Sequence, residues 1–243
     1  MHFAEEPARA PSNRILAALP SEEYERLLPH QEYVALPQRH VLFEPDEPIP
    51  YAYFPFSGAV SLLAELEDGS EVEVGTIGRE GMCGLALVLG TDSVPFRAVG
   101  EIAGAGVRVS ADQFRGELSR CAVLHRLLLS YAQARLVQTA VTAACNQFHT
   151  VDRRLARWLL VSRDRVQSDE LELTEDFLAA MLGVRRAGVS QATGRLREAG
   201  LIEHGRGRYR VLDPARLERA ACECYRVTKK EFDRLLIWDG PAG

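Results

Sequence analysis

The sequence predicts an α+β protein in which a strand-rich unit and a mainly helical unit are joined by a long helix. Three observations support this prediction. Residues 31–108 are short apolar runs cut by Gly, Pro and Asp, residues 118–148 lack both Pro and Gly, and residues 173–212 contain two helical patterns followed by two short strands. Such changes along a chain indicate separate layers of structure. We therefore expect units at residues 1–113, 114–150 and 151–243.

The composition is that of a globular protein with room for two cores. Of the 243 residues, 47% are hydrophobic, yet no apolar run approaches the roughly 18–20 residues of a membrane span. The first 12 residues are the one stretch whose composition suggests disorder. They contain acidic residues and prolines but lack the apolar core of a secretory signal. A cytoplasmic location is expected.

The charge is distributed unevenly. The net charge is −5, and residues 151–243 hold 18 basic and 15 acidic side chains, so the acidic excess lies in the first 150 residues. Residues 185–210 alone hold seven Arg and two Glu. A basic patch on an otherwise acidic chain is the electrostatic footprint of a nucleic-acid contact.

The first unit is predicted to be an antiparallel jelly-roll barrel preceded by short helices within residues 13–28. Strands are expected at 32–36, 40–43, 51–56, 59–65, 71–77, 96–102 and 106–109. Asp68-Gly69 is a strong hairpin signal between two alternating runs. Gly78, Gly81 and Gly84 indicate a tight bend, and a short helix at 85–89 should follow it. Many short strands at this spacing are typical of such a barrel.

A long helix is predicted at about 118–148, after a helix capped by Ser110. Apolar and small side chains recur along it at alternating steps of three and four, which is the heptad period of a two-stranded coiled coil. The predicted dimer seam is Leu127, Ser130, Ala134, Val137, Val141, Ala144 and Phe148. The alternative is that this helix packs on its own barrel. Another helix, at 151–166, should carry a basic face of Arg153, Arg154 and Arg157.

Residues 173–200 predict a helix, a glycine turn and a second helix. Thr174 is a good N-cap, and Glu175 and Asp176 favour the positive end of a helix dipole. Gly183 provides the turn and Gly200 ends the second helix, expected at 185–199. The predicted apolar face of that second helix is Val189, Ala192, Leu196 and Ala199.

The two strands after this helix pair complete a winged helix-turn-helix, with a basic glycine-rich turn at 204–208. In that motif the second helix enters the DNA major groove and the hairpin lies along the backbone. Arginine can bond bidentately to guanine, and glutamine suits adenine. The predicted base-reading residues are Arg185, Arg186, Ser190 and Gln191. The predicted phosphate contacts are Thr174, Thr193, Arg195, Arg206 and Arg208. The alternative is an amphipathic helix pair with a solvated basic face.

The cysteines show no zinc-finger or CxxC spacing. They are Cys83, Cys121, Cys145, Cys222 and Cys224, and free buried thiols are the expectation. Residues 214–238 should be helical, with Leu217, Ala221, Tyr225 and Phe232 on the apolar side. Side chains two apart on a helix point to different faces, so joint ligation by Cys222 and Cys224 is not expected. No metal site is predicted.

The chain resembles the Crp/Fnr family of transcription regulators over nearly its whole length. The matching pieces are YAYFPFSG at 51–58, GREGMCG at 78–84, the long helix, and LTEDFLAAMLGVRRAGVSQATGRLREAGLI at 173–202. The resemblance implies a cyclic-nucleotide-binding-like barrel, a homodimer along the long helix, and winged helices that read a two-fold symmetric site on double-stranded DNA. It also implies RNA polymerase as a partner. The barrel would then bias the pose of the winged helices through a hinge at 146–152.

The barrel departs from the family's cyclic-nucleotide binders. Those proteins hold the ribose with a glutamate and the cyclic phosphate with Arg-Ser or Arg-Thr, whereas Met82 and Arg97-Ala98 stand at these positions here. Cyclic-nucleotide control is therefore not expected, no cofactor is predicted and the effector is left open. The candidate effector pocket is Met82, Cys83, Gly84, Arg97 and Ala98.

Other sensing groups also find little support in the sequence. An Fnr-type iron–sulfur cluster is not expected, because no cysteine precedes Cys83. For haem, the candidate ligands are lone histidines, whose usual roles are structural or solvated. They are His30, His40, His125 and His149.

The second helix departs from the family too. Ala187 replaces a glutamate and Gln191 an arginine, while Arg186 keeps the guanine-reading place, so the half-site should differ from the commonest one. Two other functions are the alternatives. One is a ligand-binding adaptor whose winged helix docks protein. The other is a cupin-like barrel enzyme, which would need a His-x-His metal set that the sequence lacks.

Overall fold

The computed structural model describes residues 12–236, so the expectations for the first 11 residues and for 237–238 lie outside the described part. Two short helices, α1 (Arg14–Ala17) and α2 (Ser21–Leu27), open this part. Asn13 caps α1 by accepting from the N–H groups of Ile15 and Leu16. Its amide also donates to the carbonyls of Pro55 and Gly81, which ties the N-terminal segment to the barrel.

Seven strands form the predicted antiparallel barrel. They are β1 (Glu32–Leu36), β2 (Val41–Phe43), β3 (Tyr51–Pro55), β4 (Ala59–Glu65), β5 (Glu71–Ile77), β6 (Arg97–Ile102) and β7 (Gly104–Ser110). Their order is β1-β7-β3 in one sheet and β2-β6-β4-β5 in the other, with every pair antiparallel. All seven strands were predicted, within two residues at each end. The hairpin between β4 and β5 turns at Gly69, whose φ is +78°.

The glycine bend after β5 leads to a single 3-10 turn at Leu85–Leu87 instead of the predicted short helix. Gly84 has φ +100°, and a Cβ there would meet the carbonyl oxygen of Tyr51 at 3.1 Å. The bend therefore needs glycine at this position both for its dihedral and for its close approach to β3. Cys83 pairs with Tyr53 across the same contact.

The helix predicted after Ser110 is α3 (Ala111–Leu118), and the predicted long helix is α4 (Ala122–Phe148), which begins four residues later than expected. Ser110 precedes α3, but its hydroxyl donates to the Gln113 side chain and makes no cap. The break falls at residues 119–121, and Glu23 of α2 accepts the otherwise free N–H groups of Val123 and Leu124. A carboxylate at the start of α4 also interacts favourably with the helix dipole.

The predicted dimer seam is partly wrong, because one side of α4 packs on α9 and on the core of the barrel unit in its own chain. Leu127 and Ala134 are buried within the chain, with exposed fractions of 2% and 0%, so neither is available to a partner. Ser130, Val137 and Val141 are half-buried. The apolar side chains of α4 that face outward form what we call the outer stripe. It consists of Leu129, Leu136, Ala140, Ala143, Ala144 and Phe148.

The C-terminal unit begins with α5 (Val151–Val166) and continues through α6 (Glu175–Leu182) and α7 (Arg186–Glu198). Its sheet has the order β8-β10-β9, formed by β8 (Glu170–Glu172), β9 (Ile202–Gly205) and β10 (Arg208–Val211). The strand β8 was not predicted from the sequence, because it has only three residues. The basic face predicted for α5 is also wrong in part. Arg154 is buried and donates to the carbonyl of Leu182.

The C-terminal helix is broken into α8 (Pro214–Ala220) and α9 (Cys224–Leu235). The predicted apolar residues are all buried, but α9 does not stay with the helix pair. Phe232 and Leu236 belong to the core of the barrel unit, and the Phe232 ring lies 6.1 Å from the ring of Tyr131 in α4. The predicted division at residue 151 therefore does not separate the two cores, since α9 returns to the first unit.

The two units contact each other directly. Arg165 at the end of α5 donates to Glu80 Oε1 at 3.0 Å and to the Thr76 carbonyl at 2.9 Å, both in the barrel unit. A cavity of about 280 Å³ lies at this junction, lined by the bend, α1, α4, α5 and α9. Among the described residues, no helix is both long and apolar enough to cross a membrane.

Candidate nucleic-acid interface

The helix pair α6–α7 is defined by the cap at the start of α6 and by the glycine turn between the two helices. Thr174 caps α6 by accepting from the Phe177 N–H at 3.2 Å. Gly183 follows α6 in the left-handed region, with φ 59° and ψ 43°, a conformation that glycine adopts without strain. Val189, Ala192 and Leu196 bury one face of α7, whereas Ala199 is exposed at its C-terminal end. The predicted apolar face is therefore right for three of four residues.

The opposite face of α7 is polar and open. Arg185 is the N-cap residue of α7, and Arg186 begins the helix. Ser190 and Gln191 lie one turn further on, so that all four side chains are exposed on neighbouring positions of one surface. This surface is the N-terminal end of the helix, where the dipole adds positive potential. It brings together the four residues that the sequence predicted to read bases.

Acidic side chains of α6 occupy part of this surface. Arg186 contacts Asp176 Oδ2 at 3.1 Å and Glu175 Oε2 at 3.5 Å. Ser190 donates to the same Glu175 carboxylate. In contrast, no described acidic residue pairs with Arg185. A ligand that binds Arg186 must therefore displace the carboxylates of Glu175 and Asp176. A ligand that binds Arg185 has no carboxylate to displace.

The wing is a tight hairpin with an arginine at its tip. Arg206 and Gly207 join β9 to β10, and both have positive φ, +51° and +75°. Two successive residues with positive φ are the mark of a type I′ turn, which suits the twist of a two-residue hairpin. Arg206 is exposed, and within the part of the chain described it has no acidic partner.

The other wing arginines are paired with carboxylates that lie beside them. Arg208 contacts Glu172 of β8 at 3.4 Å, and Arg210 contacts Glu170 and Glu203 at 3.8 and 3.7 Å. The missed strand β8 supplies two of these three acids. The positive potential of the hairpin is consequently weaker than its three arginines suggested, and it is concentrated at Arg206.

One predicted phosphate contact is wrong. Thr193 is buried, with 4% of its surface exposed, and its hydroxyl is 3.0 Å from the hydroxyl of Tyr209 in β10. This contact joins α7 to the wing from the inside. The other predicted contacts, Thr174, Arg195, Arg206 and Arg208, are exposed. Arg195 is paired with Asp152 at 3.2 Å.

The predicted effector pocket is not a shared cavity. Met82, Cys83 and Ala98 are packed side chains of the barrel core, each with 0% exposed, and burial raises the pKa of the Cys83 thiol to about 12. Arg97 points away from them to the outer surface, where it pairs with Glu44 at 2.7 Å and Glu71 at 2.8 Å. No cation from this set faces the barrel interior.

The histidines considered as haem ligands are also dispersed. His40 and His125 are exposed, and His30 is half-buried. Within residues 12–236, the one group of three or more potential metal-ligating side chains lies outside the barrel, at Cys145, His149, Cys222 and Cys224. The histidine set that a cupin-like enzyme requires is thus not found among the described barrel residues.

Comparison with protein families gives a match in each unit. Residues 33–121 match the cyclic nucleotide-binding domain, and residues 153–220 match the Crp-like helix-turn-helix domain. The first match covers the barrel together with α3. The second covers α5 to α8, including the helix pair and the wing described above.

Characterised relatives align over most of the chain. The CRP-like protein Clp of Xanthomonas oryzae pv. oryzae is 27% identical over 208 residues, which cover 80% of this chain and 90% of Clp. The global nitrogen regulator of a Synechocystis strain is 27% identical over 188 residues, covering 73% of this chain and 83% of the relative.

Solved structures share the fold. FixK2 from Bradyrhizobium japonicum superposes with a TM-score of 0.68 at 19% identity, over 79% of this chain and 98% of FixK2. The c-di-GMP responsive global regulator CLP from Xanthomonas campestris gives a TM-score of 0.62 at 20% identity, over 80% of this chain and all of CLP. Identities this low establish the arrangement of the two units and nothing about ligands.

Proposed function

Because the chain belongs to the Crp/Fnr family of transcription regulators, we propose that it regulates transcription as a homodimer that places α7 of each subunit in a major groove. Regulators of this family bind DNA through the helix-turn-helix and are typically dimers. The observation that carries the proposal is the exposed polar face at the N-terminal end of α7, beside a wing with an arginine at its tip.

In the proposed complex, Arg185, Arg186, Ser190 and Gln191 face the base edges. Arg186 donates two of its guanidinium N–H groups to guanine O6 and N7, the commonest specific contact in the major groove. To do so it must break its ion pairs with Glu175 and Asp176. We expect Arg186 to leave these carboxylates only where a guanine replaces them as its partner. Gln191 lies one turn along the same face and suits adenine.

The phosphate backbone is contacted from both sides of α7. Thr174 and Arg195 lie on the helix pair, and Arg206 and Arg208 lie on the wing. These contacts position the protein and supply most of the salt-dependent affinity without reading sequence. Arg206 contributes most in this group, since it gives up no carboxylate of the described chain on binding.

The dimer forms along the outer stripe of α4. Leu136 is 68% exposed and Phe148 is 80% exposed, an unusual exposure for two large apolar side chains on one helix. A second copy of the same helix covers such a stripe in the manner of a coiled coil. The two recognition helices then meet half-sites about one helical turn, roughly 34 Å, apart.

The effector is not a cyclic mononucleotide bound in the barrel. The positions that would hold the ribose and the cyclic phosphate carry Met82, which is packed in the core, and Arg97, which is paired on the outer surface. The DNA affinity is expected to be unchanged by cAMP or cGMP. Cyclic di-GMP is a further ligand to include, because one structural relative is described as responsive to it. On the family relationship alone, RNA polymerase and a cytoplasmic location complete the proposal.

The proposal is tested by selecting duplexes from a random pool with the purified protein. The expected result is a two-fold symmetric consensus whose half-sites are separated by about one helical turn. The consensus should contain a G·C pair whose enrichment disappears in the Arg186→Ala protein. Recovery of no consensus, together with weak binding that does not depend on salt, would favour a protein-docking adaptor instead.

A further inference from the structure

Three cysteines and one histidine converge where the long helix meets the C-terminal helices. Cys145 and His149 lie at the end of α4, one helical turn apart, and Cys222 and Cys224 flank Glu223 between α8 and α9. The four side chains come from segments more than 70 residues apart in sequence. The three cysteines form a small cluster of their own, separate from both apolar cores.

The Cys222-x-Cys224 pair does not have the geometry that the sequence suggested. Cys222 lies in the link before α9, and Cys224 is the first residue of that helix. The two side chains therefore do not diverge as they would at two-residue spacing inside a helix. The Cys222 Sγ lies 3.5 Å from the Cys145 Sγ, and the Cys224 Sγ lies 3.7 Å from His149 Nδ1.

These distances are those of a tetrahedral metal site. With Zn–S bonds of about 2.3 Å and Zn–N bonds of about 2.0–2.1 Å, tetrahedral geometry separates two sulfur ligands by roughly 3.8 Å and a sulfur from a nitrogen by roughly 3.6 Å. All four candidate ligand atoms lie within 4.8 Å of one another. The largest of these separations exceeds the tetrahedral value by about 1 Å, so the four side chains need to move by no more than about 1 Å to bind one ion.

The surroundings of the four ligands also suit a metal. His149 Nε2 lies 3.2 Å from Glu223 Oε1, and Arg153 holds the other oxygen of that carboxylate at 3.3 Å. A carboxylate on the far nitrogen of a histidine fixes the ring and leaves Nδ1 free to ligate. Arg154 and Arg157 interact electrostatically with the cysteine cluster, so they can balance the negative charge of three thiolates on one divalent ion.

We propose that Cys145, His149, Cys222 and Cys224 bind one zinc ion in a closed Cys3His site. Three thiolates and one imidazole are a typical structural zinc set, and four protein ligands leave no position for substrate. Bound zinc ties the end of α4 to the link between α8 and α9, across the chain segment that joins the barrel unit to the DNA-binding unit. The ion therefore restrains the orientation of the DNA-binding unit, with its helix α7, relative to α4.

Metal content tests the site without involving DNA. The full chain is purified under reducing conditions without chelator, and zinc is measured by elemental analysis. One zinc per chain is expected in the wild-type protein, and almost none in Cys145→Ser or Cys222→Ser. Cys121→Ser is the matched control, because Cys121 is also buried but contacts Glu117 at 3.9 Å instead of this cluster. It should retain its zinc.

Two further measurements keep the test independent of folding defects. The wild-type protein, stripped with chelator and loaded with Co²⁺, should show thiolate-to-cobalt charge transfer and the strong visible bands of tetrahedral Co²⁺. Glu223→Gln should keep all four ligands but weaken zinc binding by about 10–100-fold in a competition titration.

The proposal is overturned by a wild-type protein that takes up no zinc, by an iron–sulfur cluster at these cysteines, or by undiminished zinc in Cys222→Ser. Because no DNA is present, these results do not depend on the proposed regulation.

Discussion

Arg165 Nε lies 3.0 Å from Glu80 Oε1, in a buried ion pair that joins the DNA-binding unit to the barrel unit. The side chains are 7% and 14% exposed. Burial by itself acts to raise the pKa of Glu80, but Arg165 and the N–H groups of Glu80 and Gly78 together hold it below its ordinary value. The carboxylate is therefore ionised at neutral pH and is the main counter-charge of Arg165.

Replacing Glu80 by Gln should destabilise the protein strongly. The substitution leaves the Arg165 guanidinium buried without its partner, which costs about 3–5 kcal/mol of unfolding free energy. Urea denaturation followed by circular dichroism measures this. Glu203→Gln removes an exposed partner of Arg210 and serves as the control, with little change expected. Equal, small effects of both substitutions would mean that the junction tolerates an unpaired arginine.

The stability of the protein should fall as the pH rises towards 8. Burial, and then the charge of Glu73, raise the pKa of Glu101 from its ordinary value of 4.5 to about 8. Between these values the folded chain holds a proton that the unfolded chain has lost. The unfolding free energy should therefore decrease with pH across this window, by at most about 1.4 kcal/mol per pH unit.

The hydrogen bonds around Glu101 are consistent with a protonated carboxyl group. The Ser61 hydroxyl lies 3.0 Å from Glu101 Oε2 and 2.9 Å from Glu73 Oε2, and it has one proton to donate. A protonated Glu101 can donate to Ser61 while Ser61 donates to Glu73. Glu101→Gln should remove the slope between pH 5 and about 8. An unchanged slope in this variant would assign the effect to another group.

Thr193→Val should weaken folding while leaving the salt dependence of DNA binding as it is. The substitution leaves the buried hydroxyl of Tyr209 without its partner, at a cost of about 1–3 kcal/mol. Thr193→Ser keeps a hydroxyl and should stay close to wild type. A shallower slope of log affinity against log salt for Thr193→Val would restore the residue as a phosphate contact.

Leu136→Glu should dissociate the proposed dimer. A carboxylate buried between two copies of α4 is costly, and we expect the dimer dissociation constant to rise more than about 100-fold. Sedimentation equilibrium over a range of concentrations measures it. Leu212→Glu is the matched control, since Leu212 is also an exposed leucine, 43% accessible, but follows the wing. Loss of dimers in the control alone would place the interface elsewhere.

The sequence predicted the elements better than their environment. Period-two and period-3.6 patterns identified all seven barrel strands and the α6–α7 pair, because each pattern is set by residues close in the chain. Local patterns cannot predict which side of α4 packs within its own chain. Leu127 and Ala134 have the spacing of a coiled coil, and only the tertiary packing of the chain, with α9 against α4, decides that they are buried in the same chain.

The same limit applies to the candidate site. The turn at Gly183 and the cap at Thr174 fixed α7, and thereby the shared face of Arg186, Ser190 and Gln191. Thr193 looked like part of this face, yet Tyr209 comes to it from the wing. The cysteine cluster was missed because a break in the C-terminal helix, at 221–223, brings Cys222 towards Cys145. A contact between segments so distant in sequence leaves no local signal.

The most direct test of the account compares Arg186→Ala with Arg206→Ala on a selected duplex and on the same duplex with its critical G·C pair exchanged. Fluorescence anisotropy at several salt concentrations gives each affinity. Arg186→Ala should lose about 1–3 kcal/mol on the selected duplex and discriminate no longer between the two. Arg206→Ala should weaken both equally and reduce the salt slope by about 1. If Arg186→Ala weakened both duplexes alike and kept its discrimination, α7 would not be the element that reads the DNA sequence.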